Sequence, residues 1–99
     1  MFIIVSNYRA KAGEEDAIIA LHEDWQRKQG LKADAYLSWE LIRKVDAPSE
    51  FIAIVHFSTE ESARVAESEL EQDAWYCRLL SLLEEGPSHV SCTSEWQLG

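Results

Sequence analysis

The chain has 99 residues, enough for one domain around a single core and too few for two. Eighteen acidic side chains against nine basic ones give a net charge of −9, which argues against nucleic acid and anionic membranes, since phosphates would be repelled. With 46% hydrophobic residues and no low-complexity tract or useful internal repeat, the composition is that of an ordinary globular domain.

In chain order, residues 2–9 read as a strand. Ile3, Val5, Asn7 and Arg9 share one face, and Phe2, Ile4, Ser6 and Tyr8 the other. Its short apolar run has no basic region before it, so it is not read as a signal peptide, and nothing approaches a membrane-spanning length. Lys11-Ala12-Gly13 is a turn. A helix follows from about Glu14 to Gln29, with Ile18, Leu21 and Trp25 as its buried stripe. Its acidic start and basic end suit the helix dipole, and Gly30 is expected to cap it.

Two apolar runs, 35–43 and 51–57, flank a polar link with Asp46 and Pro48 as turn formers and predict a β-hairpin. Alternation puts Ala35, Leu37, Trp39 and Leu41 on one face of the first run. The second run is apolar on both faces, Phe51, Ala53, Val55 and Phe57 against Ile52, Ile54 and His56, so it needs cover on both. Ser58 followed by Glu61 has the form of a capping box and predicts a short helix to about Leu70. A further helix is expected from about Asp73 to Glu85, with Trp75, Leu79, Leu82 and Leu83 on one side and Gly86-Pro87 as its stop. Glu84 and Glu85 oppose the dipole at that end. Residues 88–96 alternate as a last strand. Cys77 and Cys92 match no Cys-x-x-Cys spacing and read as reduced thiols of a cytoplasmic protein.

The order β-α-β-β-α-β is the ferredoxin-like split unit, an α+β fold with a four-stranded antiparallel sheet and helices on one face, here spanning residues 1–99 as one domain. The other sheet face carries apolar residues from strands one and three. Pairing two sheets through it gives a twofold homodimer; the alternative is a monomer with a poorly covered face.

Three patterns carry a family likeness: Asn7-x-Arg9 before Lys11-x-Gly13; Tyr36 to Arg43 with an Asp-x-Pro-x-Glu turn at 46–50; and Ala74-Trp75-Tyr76-Cys77-Arg78-Leu79-Leu80. Together, over nearly the whole chain, they resemble the antibiotic biosynthesis monooxygenase (ABM) domain of the dimeric α+β barrel superfamily. The resemblance implies a barrel-forming homodimer that uses no cofactor and oxidises a small aromatic or quinol-type substrate with O2. It implies Asn7 and Tyr76 as groups that orient or protonate an oxygenated intermediate, His56 as a base and Arg78 as an oxyanion partner. Trp39, Trp75 and Phe57 would wall the pocket. Each has a structural reading beside it: an amide satisfied in the core for Asn7, an interface histidine for His56, a carboxylate partner for Arg78, core packing for the tryptophans, and solvent for Tyr76. The family also holds haem-degrading enzymes, whose helix Trp and iron-ligating His fall at Ala66 and Tyr76, and domains that would only bind a small ligand. His22 and His89 show no metal-ligand spacing, and the chain has no phosphate loop, nucleophile motif or dinucleotide fingerprint.

Overall fold

Two strands can hydrogen-bond to the edges of a central one, and β1 (Phe2–Ala10) takes that central place. In the computed structural model, which describes residues 1–29 and 36–99, it is followed by α1 (Glu15–Gln29), β2 (Tyr36–Arg43) and β3 (Glu50–Phe57). Then come α2 (Glu60–Gln72), α3 (Ala74–Leu82) and β4 (Leu83–Thr93). The sheet order is β2-β3-β1-β4 with antiparallel neighbours, the ferredoxin-like arrangement. No helix among the described residues is long and apolar enough to cross a membrane. The expected Gly30 cap and the start of the hairpin at Ala35 lie outside the described residues.

The pleat divides the sheet as its alternation requires. Ile4, Ser6, Tyr8 and Ala10 of β1 and Phe51, Ala53, Val55 and Phe57 of β3 are buried under the helices. From α1, Ile18, Leu21 and Trp25 reach the same core, and Trp75 and Leu79 join it from α3. The opposite face presents Ile3, Val5 and Asn7 beside Ile52, Ile54 and His56, with none of the helices over it.

Four expectations are corrected. A register shift between Tyr36 and Ser38 brings Tyr36 to the helix side with Trp39 and leaves Leu37 exposed, so strict alternation fails at the start of β2. The cap of α2 is Thr59, whose Oγ1 accepts from the Ser62 N–H at 3.0 Å, one residue later than the capping box implied. The helix expected to reach Glu85 ends at Leu82, and β4 runs through Gly86 and the cis Pro87 before ending at Thr93. Proline is tolerated there because β4 is an edge strand. Glu84 and Glu85 are thus strand residues, and their clash with a helix dipole disappears.

Gly86 marks a close approach. Its φ is +92°, and a Cβ would sit 2.7 Å from the Asn7 carbonyl oxygen and 3.0 Å from Tyr8 Cα. Both contacts are backbone, which has little room to yield. Gly13 also has a positive φ, +86°, but open space around it. Gly86→Ala should therefore cost roughly 2–4 kcal/mol and Gly13→Ala about 1 kcal/mol, read as urea unfolding midpoints of the two variants. Equal losses would mean that the contact with β1 contributes nothing.

Candidate functional site

The polar centre of the helix side begins with Tyr8, placed inward by the parity of β1, and His22, on the same α1 stripe as Ile18 and Trp25. His22 Nδ1 lies 2.8 Å from the Ile18 carbonyl oxygen, and Tyr8 Oη lies 2.7 Å from Nε2. A carbonyl can only accept, so the imidazole proton sits on Nδ1. Nε2 of the neutral ring then accepts from the Tyr8 hydroxyl. Apolar surroundings hold His22 below its ordinary pKa, partly offset by the Ile18 bond, so the neutral ring is favoured. Burial pushes the Tyr8 phenol far above its ordinary value, so Tyr8 is a neutral donor.

Aromatic rings enclose this pair. The His22 ring meets Trp75 edge-on at 5.1 Å and Trp39 at 5.8 Å between centroids, and Trp25 lies 5.3 Å from Trp75. The Trp75 indole N–H donates to the Leu21 carbonyl at 2.6 Å, tying α3 to α1. The buried Trp39 indole nitrogen has no partner among the described residues.

Two cavities share His22, Tyr36 and Trp39 as a common wall. A groove of about 460 Å³ runs between α1 and the edge strand β2, lined by Ile19, Glu23 and Gln26 on one side and Ser38, Leu41 and Arg43 on the other. This volume lies in the range of small-molecule sites. An inner cavity of about 60 Å³ lies between the sheet and α2 and α3, where Tyr8, Ser6, Phe57, Trp75 and Tyr76 meet. Ser6 Oγ is hydrogen-bonded to His89 Nδ1 at 2.6 Å on that cavity's wall.

Of the residues singled out in the sequence, Trp39, Phe57, Trp75 and Tyr76 line the inner cavity, and Trp39 also lines the groove. Burial, then the charges of Glu71 and Glu67, raise the Tyr76 phenol and keep it a donor. Asn7 and His56 are on the other face of the sheet. Asn7 is exposed there beside Ile52 and Ser88, and His56 Nδ1 is hydrogen-bonded to Ser38 Oγ at 3.0 Å. Arg78 is exposed on α3 and lines neither cavity. The structure therefore does not bring Asn7, His56 and Arg78 together with Tyr76. Tyr76, where the resemblance would put an iron ligand, faces the inner cavity of about 60 Å³. Among the described residues no group of three or more His, Cys, Asp or Glu could hold a metal ion. Sequence reasoning missed Tyr8 and His22, although His22 follows Ile18 by four and precedes Trp25 by three, the spacing that marks a buried helix face.

The chain has the fold of the antibiotic biosynthesis monooxygenase proteins. It superposes with a TM-score of 0.82 on a variant of SnoaB, a cofactor-independent oxygenase from Streptomyces nogalater, over 98% of this chain and 95% of that one at 14% identity. A protein from Nitrosomonas europaea assigned as an antibiotic biosynthesis monooxygenase gives 0.81 over 97% and 100% at 12% identity. Rv0793 from Mycobacterium tuberculosis gives 0.75 over 99% and 98% at 13% identity. No family sequence model and no curated protein sequence matches the chain. Identities this low establish fold and no residue equivalence.

The His22 environment has a consequence for stability. Its folded pKa lies below the unfolded value of 6.5, so below that value the unfolded chain binds more protons. The stabilisation is complete above that pH and is lost as pH falls toward the folded pKa. Glu15, Glu50 and Asp73 also have lowered values, and their contributions are lost only below the ordinary carboxylate values of 4.5, 4.5 and 3.8. Urea unfolding of the parent and of His22→Gln at neutral and mildly acidic pH should show the parent losing more stability on acidification. Parallel losses would mean that His22 charges freely in the fold.

Proposed function

We propose that the protein is a cofactor-independent monooxygenase of the ABM type, acting on an electron-rich, hydroxylated planar aromatic such as an anthrone or quinol. The observation that carries this reading is the Tyr8–His22 pair, a neutral base and its proton donor on the wall of an aromatic cavity. It is supported by the fold shared with a cofactor-independent oxygenase. The substrate supplies the electrons: an anthrone methylene and O2 become a quinone carbonyl and water. What the protein must provide is deprotonation, because a phenolate or enolate passes an electron to oxygen more readily than the neutral molecule.

Tyr8 and His22 suit that task. A substrate hydroxyl reaching into the inner cavity donates to the Tyr8 oxygen while the Tyr8 proton passes to His22 Nε2. The imidazolium left behind lies close to the new phenolate, and the Ile18 carbonyl holds its Nδ1 proton. The unpartnered indole N–H of Trp39 offers a donor for the developing anion. Trp25, Trp39 and Trp75 exclude water from the charge-separated state.

Oxygen uptake on a panel of anthrones and quinols, with a protein-free blank for autoxidation, tests this. Saturable uptake is expected, and Tyr8→Phe and His22→Gln should each reduce it about 10²-fold or more. Uptake insensitive to both substitutions would remove the relay. Non-catalytic ligand binding is the second reading, favoured by the separation of Asn7, His56 and Arg78 from the groove and the inner cavity. It would be left standing by tryptophan quenching with no oxygen consumed.

We also propose that the uncovered sheet face pairs with a second copy. Ile3, Val5, Ile52 and Ile54 lie side by side there, flanked by the exposed Ile42 and Val90. An isologous contact would bury both sheets at once. Light scattering should give a dimer, and Ile54→Glu should give a folded monomer at the same concentration, because like carboxylates would be buried against each other. A parent chain that runs as a monomer ends this proposal.

A further inference from the structure

Charge is scarce on the basic side of this protein, and most of it is spent. Five of the described basic side chains pair with a carboxylate within 3.4 Å. Among the described residues, Lys11, Arg43 and Arg78 have no such partner, and of these only Arg43 lines the α1–β2 groove. Its guanidinium carbon stands 5.1 Å from the centroid of the Phe51 ring, so a buried aromatic face orients the planar fork. Glu15, whose carboxyl the Arg43 charge helps to hold below its ordinary pKa, accepts the Ser49 hydroxyl at 2.8 Å and makes no salt bridge with Arg43. Among the described residues, a protein with twice as many acids as bases has thus left one arginine without a carboxylate partner at the edge of this groove.

The groove is also polarised along its length. β2 runs back along α1, so Arg43 at the end of the strand is level with the early part of the helix, and Tyr36 with the later part, near Trp25. Glu23, on the opposite wall, is one helical turn beyond Ile19. One end of the groove therefore attracts an anion, and a carboxylate seated toward Glu23 would be repelled.

We propose that the groove selects planar aromatic acids. The ligand's carboxylate is held by the Arg43 fork, its ring body lies against Trp39, Leu41 and Ile19, and its other edge points toward His22. This rests on the proposed function, with the groove holding the ring body of that substrate beside the inner cavity that shares its His22 and Trp39 wall, and it adds the substrate's charge and orientation. A carboxylate accepting two guanidinium N–H bonds over an apolar wall gains more than a pair in open water. Arg43 is then the specificity-determining residue, and the acidic net charge of the chain is offset locally where the ligand enters.

The test is tryptophan-fluorescence titration of the full chain with an anthraquinone carboxylate and with its neutral carboxamide. The parent should bind the carboxylate roughly tenfold more tightly, a value discounted for the exposure of the guanidinium. Arg43→Gln should erase that preference by weakening the carboxylate alone, with the carboxamide kept within about twofold, and Arg43→Lys should retain part of it. Circular dichroism of each variant checks that the fold is intact. Equal affinities in the parent, or parallel losses for both ligands in Arg43→Gln, would overturn the selectivity while leaving the groove as an aromatic site. Binding of neither ligand would remove the groove as a site, and this inference with it.

Discussion

The hydrogen bond from Tyr8 to His22 joins the central strand to the first helix, and much of the helix side is arranged around it. Its geometry is over-determined from behind: the Ile18 carbonyl, one turn earlier on α1, fixes the imidazole tautomer, and the tautomer fixes which way the Tyr8 proton points. Neither partner can be exchanged for an apolar residue without leaving the other unsatisfied in a space closed by three tryptophans. Such a loss costs about 1–3 kcal/mol. The pair is therefore a structural joint as well as the relay of the proposed mechanism.

The joint depends on a division of the sheet into two unlike faces. Parity along β1 sends Ile4, Ser6, Tyr8 and Ala10 to the helices, and Ile3, Val5 and Asn7 to the other side. The helix face holds the aromatic cluster and both cavities. The other face is a flat row of branched side chains with a small polar edge at Ser38 and His56. The proposed chemistry and the proposed self-association thus fall on opposite sides of one four-stranded sheet, and a change that serves one need not disturb the other.

How much of this was legible follows from the physics of each signal. Hydrophobic periodicity marked β1, the stripe of α1, the hairpin and the doubly apolar β3, because burial leaves a repeat in the chain itself. The order of elements then fixed the fold class. Events without periodicity were missed: the register shift at Tyr36, and a proline inside β4 that is tolerated only because that strand is at an edge. Asn7, which lies on the face away from the helices, drew attention in the sequence for a simple reason. A polar residue in a strand stands out, whereas Tyr8, on an apolar face, looks like core and is core, yet its hydroxyl also meets His22. His22 was hidden in the same way, and only the contact between two elements distant in sequence shows what either residue does.

The unsatisfied indole nitrogen of Trp39 follows the same logic from the opposite side. Buried donors in folded proteins nearly always find an acceptor, so one that has none among the described residues points to a constraint other than stability. Trp39 is held by Trp25, Trp75, Tyr36 and His22 in a position that separates the groove from the inner cavity. Rotating it to satisfy the nitrogen would break that cage and join the two spaces. The packing of four aromatic neighbours outweighs one lost hydrogen bond, since each such contact contributes about 0.5–1.5 kcal/mol beyond area burial. Among the described residues the partition between groove and inner cavity therefore persists at the expense of an unmade bond, and a ligand oxygen could make that bond and leave the partition in place.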